Sequence, residues 1–179
     1  MLVALVPILA YYNKTATVLI LASGILLYGF SEYFRLSGGG IAVVSRLTLA
    51  ASRERDRGRF VLGPITLGIG TMIALLLYPH PAATLAIFAL ALGDSFSSII
   101  GKLFGRVRIP FTGGKTLAGS LACFVVVTWV SFRLTGSLET AAAIGLVATL
   151  LEALPTGDVD NIVVPVGTGL AASMLLGYI

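Results

Sequence analysis

An aspartate inside an apolar run is the first residue of this sequence whose type and position indicate chemistry. Asp94 follows Ala-Leu-Ala-Leu-Gly, and no basic residue lies near it in the sequence. A carboxylate at membrane depth is costly, so such residues generally bind ions or substrates. Asp94 is therefore a candidate ligand of Mg²⁺ or of a nucleotide, and the alternative is a hydrogen-bonding group that only holds helices together.

A glycine-rich, basic segment after Asp94 could bind phosphate groups. Glycine lets backbone N–H groups approach phosphate oxygens closely, and the N-terminus of a helix favours anions. The candidate binding residues of this segment are Gly101, Lys102, Gly105, Gly114, Lys115, Thr116 and Gly119. Gly101 and Gly105 also have the spacing of packed membrane helices, which is the alternative for that pair. The segment is not a P-loop, because Ile109 stands where a Walker A motif needs its first glycine.

An acidic cluster follows later in the chain and consists of Glu152, Asp158 and Asp160, with Asn161 beside it. Oxygen ligands that face a phosphate-binding loop suit Mg²⁺. In phosphoryl transfer the metal bridges phosphate oxygens, and a carboxylate can orient or deprotonate the attacking hydroxyl. The alternative is a solvated loop that is acidic by chance.

The composition indicates which elements hold these residues. Hydrophobic residues make up 57% of the 179 residues and charged residues only 11%, so polar surface cannot cover a soluble globule. We expect an all-α, polytopic transmembrane helical bundle that forms a single domain over residues 1–179. Runs of about 20 apolar residues predict spans. Six segments qualify, some of them short: Thr15–Phe34, Phe60–Tyr78, Ala82–Ile100, Leu117–Phe132, Leu138–Leu154 and Asn161–Ile179.

Two further segments differ from these spans. Met1–Tyr12 is apolar, but at helical rise it covers only about 18 Å of a hydrocarbon core of about 30 Å. It resembles the second half of a span, and a re-entrant or surface helix is the alternative. Ile41–Arg59 alternates apolar and polar residues before an Arg-rich end, which predicts an amphipathic helix that anchors to anionic lipid or, alternatively, contacts substrate directly.

The distribution of positive charge predicts the orientation. Ten of the twelve Lys and Arg residues lie in the segments 35–59 and 101–116, which alternating spans place on one face together with Pro155–Asp160. The positive-inside rule assigns that face to the cytoplasm. The net charge of +4 does not indicate a nucleic-acid partner, since aromatic and basic residues are not interleaved. Cys123 and His80 are each the sole residue of their type, so neither a disulfide nor a Cys or His cluster for a metal is expected within one chain.

The motifs together resemble those of the CTP-dependent polyprenol kinase family, which includes dolichol, phytol and CTP-dependent diacylglycerol kinases. That family's loop reads roughly D-x-x-A-x-x-x-G-[KR]-x-x-G, then a basic spacer, then K-[KST]-x-E-G-[ST]. The matching residues are Asp94, Gly101-Lys102, Gly105, Lys115-Thr116, Gly119-Ser120 and, later, Glu152, Asp160-Asn161 and Pro165. Arg53-Glu54 resembles a further basic–acidic element, and the likeness extends from about Glu32 to Leu170.

The resemblance implies transfer of the γ-phosphate of CTP to the hydroxyl of a lipid alcohol, with Mg²⁺ as cofactor and membrane lipids as surroundings. It implies that Asp94, Lys115, Glu152 and Asp160 are catalytic and that Asp94, Asp158 and Asp160 are candidate metal ligands. Arg106 and Arg108 would add supporting charge. The sequence departs from the family at Ser97, where alanine is usual, and at Ala118, where glutamate is usual. The family's N-terminal Arg-Lys…His element has no counterpart.

Other functions remain open from the sequence. Phosphatidate cytidylyltransferases have a similar loop, but their Lys-Asp, His-Gly-Gly and Asp-Arg signature is absent. A non-catalytic member of the family is the second alternative, because Ala118 replaces a possible catalytic glutamate. A transporter or channel is disfavoured, since the charged residues gather at one face rather than along a path through the membrane midplane.

Overall fold

Helices form most of the part of the chain described by the computed structural model, which comprises residues 2–37 and 60–179. The helices are α1 (Val6–Tyr12, after a 3₁₀ turn at Leu2–Leu5), α2 (Lys14–Leu36), α3 (Gly63–Leu77), α4 (Ala82–Phe104), α5 (Leu117–Thr135), α6 (Leu138–Ala153) and α7 (Asp160–Leu175, after a 3₁₀ turn at Gly157–Val159). Within these residues the strand pairing is limited to one antiparallel bridge between Arg108 and Thr116. The predicted all-α architecture is therefore confirmed for the described residues.

Local capping explains where several helices begin and end. The Asn13 side chain accepts the N–H of Ala16 at the start of α2, and the Ser137 side chain accepts that of Thr140 at the start of α6. These side chains satisfy N–H groups that have no partner inside the helix. Gly136 ends α5 with a φ of +72°, a left-handed conformation that glycine adopts without steric cost.

Helix length and composition are those of a membrane protein. Three of the described helices, α2, α4 and α5, are long and apolar enough to cross a membrane. The helices α3, α6 and α7 have 15, 16 and 16 residues and are shorter. All six predicted segments are helical, while six complete crossings remain a prediction.

The N-terminal segment is a short helix that packs on the bundle. The α1 helix contacts α2 and the first part of α4, and Val6 is buried in the apolar core. The partial helix that the sequence predicts is present. The predicted amphipathic segment Ile41–Arg59, with Arg53-Glu54 inside it, lies outside the described residues.

The centre of the bundle is the first half of α4, where Leu85, Ala86 and Ile87 are almost completely buried. This part of α4 packs mainly against α7. Two other helix pairs approach closely through glycine: a Cβ on Gly70 of α3 would lie 2.0 Å from the Asn161 carbonyl oxygen, and one on Gly145 of α6 would lie 2.1 Å from Thr128 Oγ1. Small residues at such crossings let membrane helices pack backbone to backbone.

A π-helical stretch interrupts α4 at Ala89–Asp94. This stretch contacts α5, α6 and α7, so it lies inside the bundle. π-Helical turns within α-helices are rare and occur frequently at functional sites. In α4 the stretch ends at Asp94, the first candidate residue of the sequence.

Polar contacts join the elements at the end of the bundle where α2 and α4 finish. The buried Glu32 carboxylate accepts two hydrogen bonds from Arg35, at 2.7 and 2.8 Å, and a third from the Val61 N–H at 2.9 Å. Asn161, at the start of α7, donates to Thr66 Oγ1 of α3 at 3.0 Å. These contacts fix the start of α3 against α2 and α7.

Candidate active site

A polar cavity of about 650 Å³ lies at the end of the bundle where α4 finishes and α5 begins. Its size is within the range of small-molecule binding sites. The lining residues come from α4, from the loop before α5 and from the loop before α7: Asp94, Ser97, Ser98, Gly101, Lys102, Gly105, Arg108, Thr112, Gly113, Gly114, Lys115, Thr116, Leu154, Pro155, Gly157 and Asp160. The glycine-rich loop and the acidic loop therefore share one cavity, on the same end of the bundle, as the alternation of spans predicts.

One face of α4 forms a wall of this cavity. Ser97 and Ser98 lie three and four residues after Asp94, Gly101 lies four and three residues after them, and Gly105 lies four residues after Gly101. Residues at this spacing lie on the same face of a helix. The carboxylate, the hydroxyl groups and the glycines therefore line the cavity in a single row.

The loop between α4 and α5 is a small hairpin. The Ile109 N–H donates to the Lys115 carbonyl at 2.9 Å, and the Leu117 N–H donates to the Val107 carbonyl at 3.0 Å. Gly113 and Gly114 turn the chain with φ values of +69° and +101°. The hairpin brings Gly113, Gly114 and Lys115 to the cavity directly before the N-terminus of α5.

Lys115 and Glu152 form an ion pair beside the cavity. The Lys115 ammonium group contacts Glu152 Oε1, and the Ser97 hydroxyl donates to the same oxygen at 2.8 Å. The Glu152 side chain is only 2% exposed. Its second oxygen, Oε2, is buried and has no hydrogen-bond partner among the described residues. A buried carboxylate oxygen without a donor is costly, so it is available for a ligand that brings one.

Three of the predicted phosphate-binding glycines have a packing role. A Cβ on Gly105 would lie 2.6 Å from Thr116 Oγ1, and one on Gly119 would lie 2.7 Å from the Ser97 carbonyl oxygen. A Cβ on Gly101 would lie 2.9 Å from Thr116 Oγ1. These glycines let α4 and α5 cross closely, which agrees with the alternative interpretation of Gly101 and Gly105.

Hydrogen bonds limit what those glycines offer a ligand. The Gly105 N–H donates to the Gly101 carbonyl at 3.0 Å, and the Gly119 N–H donates to Thr116 Oγ1 at 3.2 Å. The N–H groups of Gly105 and Gly119 are therefore engaged within the protein. Phosphate binding by these glycines remains a prediction. Among the predicted glycines Gly114 is the better placed, because it lines the cavity in the turn before α5, next to Gly113.

The acidic residues divide into those that line the cavity and those that do not. Asp94 and Asp160 line it, whereas Glu152 and Asp158 are absent from its lining, and Glu152 lies behind Lys115. Residues 2–37 and 60–179 contain no group of three or more His, Cys, Asp or Glu side chains arranged to hold a metal ion. Magnesium is commonly bound through one or two carboxylates together with substrate phosphates. Asp94 and Asp160 fit that mode of binding, in which the substrate supplies the remaining ligands.

Several residues that line the cavity are not predicted from the sequence motifs. Ser97 differs from the kinase pattern only as a serine in place of alanine, and Ser98 and Thr112 belong to no motif. The helical spacing from Asp94 was the signal that could have identified Ser97 and Ser98. Thr112 lies in a loop, where no periodicity applies. Of the two arginines expected to give supporting charge, Arg108 lines the cavity and Arg106 does not.

The fold and the cavity together define a helical membrane protein with lysines and carboxylates gathered at one end. Comparison with curated proteins identifies relatives of this sequence. The chain is 27% identical over 161 residues to phytol kinase 1, chloroplastic, of Arabidopsis thaliana, which covers 80% of this chain and 53% of the relative. It is 29% identical over 150 residues to probable phytol kinase 1, chloroplastic, of Oryza sativa subsp. japonica, which covers 74% of this chain and 48% of the relative. It is 28% identical over 141 residues to farnesol kinase, chloroplastic, of Arabidopsis thaliana, which covers 69% of this chain and 46% of the relative.

These relatives confirm the resemblance to polyprenol-type kinases that the motifs predict. The chain spans about half the length of the curated relatives that it matches. No family model matches the sequence. No solved structure matches it either.

Proposed function

We propose that this chain transfers the γ-phosphate of CTP to the hydroxyl group of an isoprenoid or related lipid alcohol. The observation that carries the proposal is the shared cavity, which brings Lys102 and Lys115 together with Asp94 and Asp160 at the end of an apolar bundle. Similarity to proteins named as phytol and farnesol kinases supports a lipid alcohol as the acceptor. CTP as the donor rests on the resemblance to the CTP-dependent family.

The basic side of the cavity would bind the nucleotide's phosphates. Lys102 of α4 lines it together with Arg108 and Lys115 of the hairpin, and all three provide positive charge. The turn at Gly113-Gly114 leaves backbone N–H groups close to the N-terminus of α5, where the helix dipole favours anions. Bound Mg²⁺, held by Asp94 and Asp160, would neutralise the charge that develops on the phosphate oxygens.

The reaction needs a proton acceptor for the lipid hydroxyl. The hydroxyl oxygen attacks the γ-phosphorus, a new P–O bond forms, and the bond from the γ-phosphorus to the β–γ bridging oxygen breaks to release CDP. The proton of the hydroxyl passes to a carboxylate. Glu152 is our choice for this acceptor. It does not line the cavity itself, but it contacts Lys115 and Ser97, which do, and its Oε2 has no donor among the described residues.

The membrane supplies the second substrate. The lipid alcohol would enter between helices with its chain in the hydrocarbon and its hydroxyl at the interface. The cavity lies at the same end of the bundle as the basic residues of the α4–α5 hairpin. The positive-inside rule supports our proposal that this end faces the cytoplasm.

The test uses purified protein in liposomes with Mg²⁺, CTP labelled in its γ-phosphate, and a panel that includes phytol, farnesol and a dolichol. We expect labelled lipid phosphate and an equal amount of CDP. A parallel reaction with phosphatidate tests the alternative: formation of CDP-lipid with release of labelled pyrophosphate would instead identify a cytidylyltransferase. No labelled lipid with any alcohol, from protein that still binds CTP, would contradict the kinase proposal, and equal rates with ATP would contradict the choice of CTP.

A further inference from the structure

Ser97 and Glu152 are 55 residues apart in the sequence and form a buried hydrogen bond between α4 and α6. The Ser97 side chain donates to Glu152 Oε1 at 2.8 Å. Ser97 is 5% exposed and Glu152 is 1% exposed, so water does not compete for this contact. Since Lys115 contacts the same oxygen, Oε1 has two donors and Oε2 has none among the described residues.

Lys115 and Ser97 both donate to Glu152 Oε1, but they differ in whether they would also bind the nucleotide. In the proposed function Lys115 binds a phosphate, and its ammonium group then shares its hydrogen bonds between the nucleotide and Glu152. The Ser97 hydroxyl would bind Glu152 and not the nucleotide. Because the terminal torsion of a glutamate is soft, the carboxylate needs a fixed donor to keep one orientation. Ser97 is that donor when nucleotide is bound.

The crossing of α4 and α5 leaves room for this hydroxyl. A Cβ on Gly119 would lie 3.2 Å from Ser97 Oγ and 2.7 Å from the Ser97 carbonyl oxygen. A larger residue at position 119 would therefore displace the serine from Glu152. Gly119 on α5 leaves the space that the Ser97 hydroxyl on α4 occupies, and this hydroxyl holds the Glu152 carboxylate.

We propose that Ser97 is a positioning residue for phosphoryl transfer, which holds Oε1 of Glu152 so that Oε2 accepts the proton of the lipid hydroxyl. The proposal rests on the kinase function proposed above. It concerns this chain in particular, because the kinase family's pattern usually has alanine at the position of Ser97. The chain therefore has an additional support for its proton acceptor.

The experiment measures kcat and the KM for CTP in the full-length protein, with the alcohol that gives the highest rate. Ser97→Ala is expected to lower kcat about tenfold, the effect typical of losing one hydrogen bond to a charged group. The KM for CTP stays within about twofold, because Ser97 acts on Glu152 and not on the nucleotide. Ser131→Ala is the matched control: it removes a buried serine hydroxyl that has no partner among the described residues, and kcat should not change.

A double-mutant cycle separates positioning from a general structural effect. Glu152→Asp retracts the carboxylate by one methylene group and breaks its contact with Ser97. If Ser97 acts through Glu152, Ser97→Ala has no further effect on kcat in the Glu152→Asp background. The same tenfold loss in both backgrounds would overturn the proposal.

The outcomes also distinguish this inference from the function on which it rests. Wild-type protein that forms no lipid phosphate overturns both. An active wild type whose kcat is unchanged by Ser97→Ala overturns the positioning role alone. If the alanine variant does not fold, Ser97→Cys takes its place, because a thiol keeps the volume of the side chain but is a weak donor.

Discussion

Lys115 and Glu152 form an ion pair that joins the residue before the N-cap of α5 to the last turn of α6. The lysine side chain is 25% exposed and faces the cavity, whereas the glutamate side chain is 2% exposed. The pair therefore connects a candidate phosphate ligand with the candidate proton acceptor. A change at either residue should affect both the stability of the bundle and its chemistry.

Replacing Lys115 by Met should destabilise the protein and abolish turnover. Removal of the ammonium group leaves the buried Glu152 carboxylate with Ser97 as its remaining donor among the described residues, at a cost of about 3 kcal/mol in the free energy of unfolding. Thermal unfolding in detergent measures this change. Adding Glu152→Gln should restore most of the stability, because the uncompensated charge is gone, while activity stays absent.

Lys102 is the matched comparison for Lys115, since it lines the same cavity but is exposed. Lys102→Met should weaken CTP binding and leave the unfolding temperature unchanged. Titration of the variant with CTP, followed by isothermal calorimetry, checks the first expectation. Equal stability losses at the two lysines would show that the ion pair with Glu152 has no stabilising effect.

Removal of Mg²⁺ should stop phosphoryl transfer, and Asp94 and Asp160 should set the requirement for the ion. EDTA is expected to abolish the reaction, and added Mg²⁺ to restore it. Asp94→Asn and Asp160→Asn should each lower kcat roughly 100-fold, because neutralising the developing charge is the main contribution to such reactions. Asp158→Asn should have a smaller effect, since Asp158 does not line the cavity. An equal loss at all three positions would favour the predicted three-carboxylate metal site.

Gly105→Ala should disrupt the crossing of α4 and α5. The new Cβ would lie 2.6 Å from Thr116 Oγ1 at the start of α5 and 2.1 Å from the Gly101 carbonyl oxygen in the last turn of α4. That carbonyl is a backbone atom, which cannot move aside as the end of a side chain can. We expect a loss of about 3 kcal/mol or no folded protein. Gly24→Ala in α2 is the control, because no atom lies within 4 Å of its added Cβ. That variant should be neutral or more stable by about 0.5–1 kcal/mol.

Glu32→Gln should loosen the junction of α2 and α3. Glu32 is fully buried, and the substitution removes its charge from beside Arg35 and weakens its bond to the Val61 N–H. Faster hydrogen exchange at the Val61 amide, together with a lower unfolding temperature, is the expected result. Glu139→Gln changes an exposed acid in the first turn of α6 and should cost less than about 1 kcal/mol. Unchanged exchange at Val61 would exclude a tethering role for Glu32.

Local sequence was sufficient to predict most of the helices. The apolar runs predict that α5 begins at Leu117 and α6 at Leu138, and both helices begin at those residues. Thr116 and Ser137, which directly precede them, cap the helices there. The end of α5 was predicted three residues early, at Phe132. The helix continues through Arg133 to Thr135, because its stop signal is Gly136 and not the first charge.

Contacts between distant residues could not be predicted in this way. Nothing in the sequence indicates that Glu152, and not Asp158 or Asp160, pairs with Lys115, because the choice depends on how α4, α5 and α6 cross. The π-helical stretch could not be predicted either, because its sequence, Ala-Leu-Ala-Leu-Gly-Asp, is that of an ordinary apolar helix. The sequence therefore predicted which residues share the cavity better than it predicted their partners.

The π-helical stretch at Ala89–Asp94 has a consequence for engineering the chain. Each residue of an α-helix turns the chain by about 100°, so deleting one residue between Ala89 and Asp94 would rotate everything downstream by that angle. The buried first half of α4 would keep its neighbours, while Ser97, Gly101 and Lys102 would face other helices or lipid. The length of the apolar run alone does not determine which way the cavity-lining side chains face. A graft of this loop onto another span must therefore keep the same rotation of these residues about the helix axis.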